Sequence, residues 1–414
     1  MKHRYTIGDY CHFGRMFWRN RRRHQVWQKQ FEASVRDRSF KLPSAAVVQF
    51  IPTEACNLRC PMCNQWGENG YFLDGTRRGV KQMDQSALKR MVENFSPQAS
   101  LINIHGGEPL AYRHIDELLE ILGERGFDVL VTTNGTLMTD HLEQLAGIRN
   151  LAIILSVDGD EESHDRVRGT GRFRQTREGI AALFNLRRRL RMPLPLVIMS
   201  IVVCEWTTDV IEKADAVARD FGVFALNYNL RYFMPEEAGL AYEKHLQEHF
   251  GLKSSGAWRG WIAPKHEQHD YSKAAGRLHR LLRRNRFRWL PPFTVAGPDH
   301  LRGKDFEEWF TDYSNTFGNE SCFMPFYWAR VQANGDLIFC PGHPDIIAGN
   351  VFRDGFMSAF NSEMAIKFRQ HILNNRMPIC NRCCGLYMTN QARPFEQKAR
   401  RNLGLPKEVN VHWP

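Results

Sequence analysis

Between residues 45 and 230 one pattern recurs six times: a short apolar, β-branched run, then a stretch with apolar side chains at helical spacing. The strand-like runs are 47–50, 101–104, 129–132, 153–157, 197–203 and 224–230. After the first, Asp84 stands where a helix N-cap belongs and Leu88, Met91, Val92 and Phe95 keep a 3.6-residue period. Ile115, Leu118, Leu119 and Leu122 repeat that period up to Gly126, and 140–146, 176–190 and 209–221 read as further helices. Strands that alternate with helices pair in parallel through crossovers. The expected fold is therefore α/β, a partial (β/α)6 barrel over 45–232, with its chemistry at the carboxyl ends of the strands.

Those ends carry unusual residues. Strand one runs into Cys56-Asn57-Leu58-Arg59-Cys60-Pro61-Met62-Cys63, three thiols within one tight loop. Three thiolates suit three irons of a cubane [4Fe–4S] cluster and leave its fourth iron open, whereas structural zinc asks for four ligands, usually in two pairs. Strand two runs into His105-Gly106-Gly107-Glu108-Pro109, where the glycines permit close backbone approach and the carboxylate suits an ammonium group. Strand three ends in Thr133-Asn134-Gly135 and strand four in Ser156-Val157-Asp158-Gly159.

CxxxCxxC followed by GGEP resembles the radical S-adenosylmethionine (SAM) superfamily. The resemblance implies that Cys56, Cys60 and Cys63 hold a SAM-binding [4Fe–4S] cluster, that SAM chelates the open iron, and that Gly106, Gly107 and Glu108 lie along its amino group. Met62 departs from the aromatic residue usual before the last cysteine. Ser156-Val157-Asp158-Gly159 followed by His164-Asp165-Arg166-Val167-Arg168-Gly169 resembles the SxDG…HDxxRG pattern of SPASM/twitch-type members. It implies that Ser156 and Arg168 hold the carboxylate of SAM, the guanidinium as a bidentate fork. Asp158 reads either as a ribose contact or as a cap on the following turn, Asn227 and Asn229 as adenine contacts, and Cys204 as a core thiol.

A second thiol set lies further on. Cys322, Gly335 and Cys340 stand at C-x12-G-x4-C spacing, followed by Cys380-Asn381-Arg382-Cys383 and the adjacent Cys384. The set resembles the twitch domain, a shortened SPASM domain, and Asn334-Gly335-Asp336 reads as a type I′ hairpin turn within it. The resemblance implies a small α+β domain at 321–390 in which Cys322, Cys340, Cys380 and Cys383 hold one auxiliary [4Fe–4S] cluster. Four thiolates also suit zinc, and Cys384 reads as a replacement for Cys383 or as a spare thiol.

The remaining segments are basic. Net charge is +11, which favours phosphorylated substrates, an acidic peptide, an acidic electron donor of flavodoxin or ferredoxin type, or anionic lipid. In the extension 1–44, Phe17, Val26, Trp27 and Phe31 read as one side of a helix packed on the barrel, with peripheral membrane contact as the alternative. The segment 233–320 loses the strand–helix rhythm and reads as a substrate-covering insertion. Its Trp258, Trp261 and arginine-rich run 277–289 offer a nucleic-acid face only as a weaker alternative. Residues 391–414 form a basic tail. No run of eighteen apolar residues occurs, so no transmembrane span is expected. Ten cysteines without an export signal point to reduced thiols and a cytoplasmic location.

The resemblance as a whole implies reductive cleavage of SAM to a 5′-deoxyadenosyl radical. That radical would abstract hydrogen from a polar, anionic small molecule of sugar or cyclitol type, and the auxiliary cluster would take the second electron. A peptide or sulfatase maturase is the alternative, and a non-enzymatic iron–sulfur or zinc scaffold a weaker one. His343 and Asp345 are the candidate bases.

Overall fold

Six parallel strands follow one another through a single sheet in chain order: β1 (Val47–Phe50), β2 (Leu101–Ile104), β3 (Asp128–Thr133), β4 (Asn150–Ser156), β5 (Leu196–Val203) and β6 (Ala225–Leu230). This computed structural model describes residues 5–72, 80–93, 95–262, 274–278, 280, 293–296, 304–319, 322–340, 342, 344–388 and 410–411. The helices up to residue 250 are α1 (Ile7–Arg36), α2 (Gln85–Glu93), α3 (Ile115–Glu124), α4 (Leu142–Gly147), α5 (Glu161–Arg168), α6 (Arg172–Arg189), α7 (Ile211–Phe221) and α8 (Glu236–Phe250). Asp84 caps α2 as expected, accepting from Ala87 N at 2.8 Å.

Strand alternation separates two faces. Leu226, Tyr228 and Leu230 are buried on the helix side, where Tyr228 donates to Ile211 O of α7 at 2.8 Å. Asn227 and Asn229 point the other way and are half-buried. Register aligns two polar rows on that inner face. Arg330, Gln49 and Asn103 lie level across three adjacent strands, and Ser156, Ser200 and Asn227 lie level across β4, β5 and β6.

The sheet grows beyond the six expected strands at both edges. β7 (Phe293–Ala296), from the segment with no strand rhythm, joins β6 in parallel. β8 (Trp328–Val331) joins β1 in parallel, with Val47 opposite Trp328 and Phe50 opposite Val331. β9 (Asp336–Ile338) and β10 (Gly349–Asn350) then add antiparallel strands, giving an open ten-stranded sheet with β7 and β10 at its edges. The hairpin of the second thiol set thus continues the barrel's own sheet. Its turn is not type I′: Gly335 alone has positive φ, at 85°, and Gly335 N donates to Gln332 O at 2.9 Å. That is a type I turn followed by a left-handed glycine, which tolerates Asn334 in an ordinary conformation.

α1 crosses the amino-terminal ends of the strands, opposite the motif loops. Its Thr6–Asp9 capping box fixes the start. Leu194 N donates to Asp9 Oδ1 at 2.8 Å, His12 Nε2 lies 3.1 Å from Arg149 O, and Arg19 and Arg23 both pair with Asp128 at the head of β3. Phe13 packs with Ala152 and Leu196 beneath the barrel. Trp27 and Phe31 are buried as expected, but Phe17 and Val26 are 51% and 47% exposed. Angle explains Val26, which sits roughly 100° from Trp27 and about 140° from Phe31 at about 100° per residue; Phe17 lies on the border of the packed stripe, its ring 6.4 Å from that of Phe224.

In the insertion, Trp258 is fully buried against Gly239, where a Cβ would meet the indole at 2.0 Å, and its Nε1 donates to Glu243. It is a core residue, not a stacking face. From the arginine-rich run, Arg277 donates to Thr208 O and Arg280 pairs with Glu212; most of the run lies outside the described residues, as does the tail apart from Asn410–Val411. Among the described residues no helix is long and apolar enough to cross a membrane.

Candidate active site

The thiol loop leaves β1 and folds on itself through Cys63 N to Cys60 O at 3.0 Å and Gly67 N to Cys63 O at 2.8 Å. Leu58 N points at Cys56 Sγ and Trp66 N at Cys63 Sγ, both at 3.4 Å, which are donors suited to thiolate sulfur. Burial pushes the Cys56 thiol up to about 12, with Glu108 and the other two thiols adding to it. Burial raises Cys60 too, against the pull of Arg168. Thiols so placed ionise readily only when bound cations repay the burial, and a thiolate-ligated iron cluster fits this donor set.

The second loop lies directly on the first. Gly107 N donates to Thr53 O at 3.1 Å and Glu108 N to Ala55 O at 2.7 Å. A Cβ on Gly107 would stand 2.2 Å from Ala55 O and 2.5 Å from Glu54 O, and one on Gly106, whose φ is +153°, would stand 2.5 Å from Thr53 O. The glycine pair exists so that these two backbones can touch. Glu108 is almost fully buried, with Oε1 accepting from Thr133 Oγ1 at 2.7 Å and Leu110 N at 3.1 Å, and Oε2 from Asn134 N at 2.8 Å. Burial raises its pKa and those donors oppose the rise. Asn57 closes the ring, donating to Thr136 Oγ1 at 2.8 Å and accepting from Asn134 at 2.9 Å. Sequence reasoning noted the Thr133-Asn134-Gly135 turn but missed Asn57 and Thr136, which only the fold brings together.

Arg168 arrives from α5. Its Nε donates to Asp158 Oδ2 at 2.6 Å and its Nη1 stands 3.9 Å from Cys60 Sγ. Asp158 neither faces solvent nor caps the turn: Oδ1 accepts from Val202 N, and Asp160 caps α5 through Ser163 N. His164, another residue that sequence reasoning left without a role, accepts from Asp158 N on Nδ1 at 3.2 Å. Its proton therefore sits on Nε2, which is buried without a hydrogen-bond partner. Burial, helped by Arg168, depresses its pKa to about 3. Ser156 ends β4 half-buried on the inner face, and Asn227 Nδ2 donates to Ser200 Oγ beside it at 3.3 Å. Cys204 is a core thiol against Thr207.

Five thiols gather near Arg330 of β8. Burial raises the Cys340 thiol first, and its neighbours Cys322, Cys380 and Cys384 raise it further. Cys383 donates to Cys384, which raises the first thiol and lowers the second, with Arg330 also favouring the Cys384 thiolate. Among the described residues no three His, Cys, Asp or Glu side chains converge on a position for a single metal ion. A cubane, which spreads its thiolates over separate irons, requires a wider ring of sulfurs. Tyr232, just past β6, donates to Ile379 O at 2.8 Å and so connects the barrel rim to this group. Asp345 is structural, both oxygens being taken by Tyr242 Oη and Ser255 N, while His343 lies outside the described residues.

The parallel sheet with its thiol loop defines a class: iron–sulfur barrel proteins that bind a nucleoside ligand at the strand ends. The radical SAM superfamily model matches residues 50–212, and that of the iron–sulfur cluster-binding SPASM domain matches 322–384. The chain is a radical SAM protein with a C-terminal SPASM domain, and these domains imply a SAM-binding [4Fe–4S] cluster and an auxiliary iron–sulfur cluster. It is 38% identical over 97 residues to the 7-carboxy-7-deazaguanine synthase of Aquifex aeolicus, covering 23% of this chain and 40% of that one. To the AdoMet-dependent heme synthase of Methanosarcina barkeri it is 28% identical over 193 residues, 45% of this chain and 50% of that one. The chain thus matches half or less of the length of these curated relatives. In fold it is similar to Streptococcus suis SuiB, with TM-score 0.59 and 14% identity over 86% of this chain and 75% of that one. It is likewise similar to anSMEcpe with bound AdoMet, with TM-score 0.53 and 16% identity over 86% and 99%.

Proposed function

We propose that this chain oxidises a polar, anionic small molecule of sugar or cyclitol type by two electrons. When bound, SAM and the first cluster would supply a radical that takes one hydrogen atom from the substrate, and the auxiliary cluster would take the second electron as a proton leaves to solvent. Cys56, Cys60 and Cys63 would hold the first cluster, and Cys322, Cys340, Cys380 and Cys383 the second, with Cys384, whose thiolate Arg330 favours, beside them as the replacement for Cys383. Gly106, Gly107 and Glu108 set the loop for the amino group of SAM, and Ser156 and Arg168 offer a hydroxyl and a cation for its carboxylate. Asp158 fixes the guanidinium against rotation through the 2.6 Å pair.

The observation that carries the substrate reading is the pair of inner-face rows, Arg330-Gln49-Asn103 and Ser156-Ser200-Asn227. Hydroxyl and amide groups on the inner face favour a ligand dense in hydroxyls, which can add to the hydrogen bonds that Gln49 makes to Asn103 and Asn227 to Ser200. Arg330 adds a cation for an anionic substituent. The excess of basic residues suits an acidic flavodoxin- or ferredoxin-type donor, whose reduction of the protein should slow as salt rises.

A second reading, peptide modification, draws on the fold likeness to SuiB, one of whose structures is bound to precursor peptide SuiA. The test is deuterium transfer. Reduced, reconstituted protein with SAM is offered deuterated phosphorylated polyols in one arm and deuterated peptide fractions in the other. Label in 5′-deoxyadenosine from the polyol arm supports the proposal, and label from the peptide arm alone overturns it. Cys380→Ala should keep the label transfer while losing the oxidised product.

A further inference from the structure

α1 keeps a second face that the barrel covers only in part, the Phe224 ring lying 6.1 Å from that of Tyr10 and 6.4 Å from that of Phe17. Ile7, Tyr10, Phe17, Trp18 and Val26 are 82%, 38%, 51%, 61% and 47% exposed, and they are five of the ten large apolar side chains that stand exposed among the described residues. They do not scatter. Ile7, Tyr10, Phe17 and Trp18 fall at spacings of three, seven and one, which places them along one side of the helix. Leu190, 54% exposed at the C-cap of α6, adds to the same end of the molecule, since Arg188 in the last turn of α6 pairs with Asp9 in the first turn of α1 at 2.9 Å.

The charge on this face has one sign. Arg15, Arg21, Arg22 and Lys29 are exposed. The acids of α1 are Asp9, which is buried against Arg188 and Leu194 N, and Glu32, which is half-buried near the far end. The guanidinium of Arg22 lies 5.6 Å from the centre of the Trp18 ring, leaving the aromatic at the boundary between apolar and cationic ground.

We infer that α1 seats the protein on an anionic lipid surface, with Phe17 and Trp18 entering the headgroup region. A second copy of this chain is a poor occupant, because two faces of cationic sign would be pressed together. An acidic electron donor is a poor one too, because the face lies beneath the amino ends of the strands while both thiol groups lie at or beyond the opposite end, and it would bury two aromatics to no electrical purpose. Lipid answers both halves of the pattern: acyl chains for the rings, phosphates for the arginines. The placement has a consequence for the enzyme. With α1 on the membrane the strand carboxyl ends face the aqueous side, so substrate arrives from water.

The test uses the whole reconstituted protein and vesicles of phosphatidylcholine alone or mixed with phosphatidylglycerol. Cosedimentation should appear with the mixed vesicles only and fade as salt rises. Arg21→Gln with Arg22→Gln should weaken it about twenty-five-fold, at roughly fivefold per basic residue. Phe17→Glu with Trp18→Glu should abolish it while SAM cleavage is retained. Cys11, the one cysteine of ten that is exposed, lies on this face and accepts an environment-sensitive fluorophore, whose emission should shift to the blue on binding. The inference is overturned if neither vesicle captures the protein, if the Phe17 and Trp18 variant still binds, or if the same variant instead dissolves a dimer.

Discussion

Arg168 and Asp158, ten residues apart in sequence, form a 2.6 Å ion pair in which the carboxylate is wholly buried, and the same guanidinium reaches to 3.9 Å from the sulfur of Cys60. One arginine thus ties the loop after β4 to the thiol loop after β1. The pair is out of solvent, so its value lies in being complete: a buried charge left alone is far costlier than the pair is favourable.

Asp158→Asn should therefore lower stability by about 3 kcal/mol, read as a shift in the denaturation midpoint. Formation of 5′-deoxyadenosine should fall with it, because the guanidinium is no longer held at one angle. Asp160→Asn, which keeps a capping side chain at the start of α5, should leave the rate within about a factor of two.

Gly107→Ala should part the two loops. No side chain can yield there, because the atoms in the way are the carbonyl oxygens of Ala55 and Glu54. Overpacking of this kind costs about 1–3 kcal/mol. The expected result is a protein that still takes up iron but shows a weakened spectral change when SAM is added, measured by electron paramagnetic resonance of the reduced sample.

Acid should destabilise the fold through His164 and His105. Their pKa values are depressed from the ordinary 6.5 to about 3 and about 4, in both cases chiefly by burial. As pH falls below 6.5 the unfolded chain takes up these protons and the native chain does not. Stability is then lost at up to about 1.4 kcal/mol per pH unit for each histidine until the native value is reached. His164→Gln should remove one proton's share of that slope, seen in denaturation midpoints across the window.

The six central strands and the two thiol motifs were legible because they are local. Apolar period and cysteine spacing need only a few consecutive residues, and each of β1 to β6 falls within a few residues of its expected place. The pairing of β8 with β1 joins Trp328 to Val47 across most of the chain, and nothing in either short strand announces its partner. The roles of Asn57 and Thr136 were invisible for the same reason: each is an ordinary polar residue until the loops of β1 and β3 meet at Asn134. Val26 misled because apolar character was counted without its angle, and Phe17 because a place on the border of the packed stripe buries only part of a ring. Nearness of Asp345 to Cys340 in sequence says nothing of Tyr242 and Ser255, each of which donates to one of its oxygens.

The central claim is that the thiol loop carries a cluster with an iron open to SAM. The measurement is 5′-deoxyadenosine formed by anaerobically reconstituted, reduced protein, with metal content determined on the same sample. About eight irons per chain are expected, with steady nucleoside production that is lost in Cys60→Ala. Zinc in place of iron, or iron-loaded protein that leaves SAM intact, would contradict the claim.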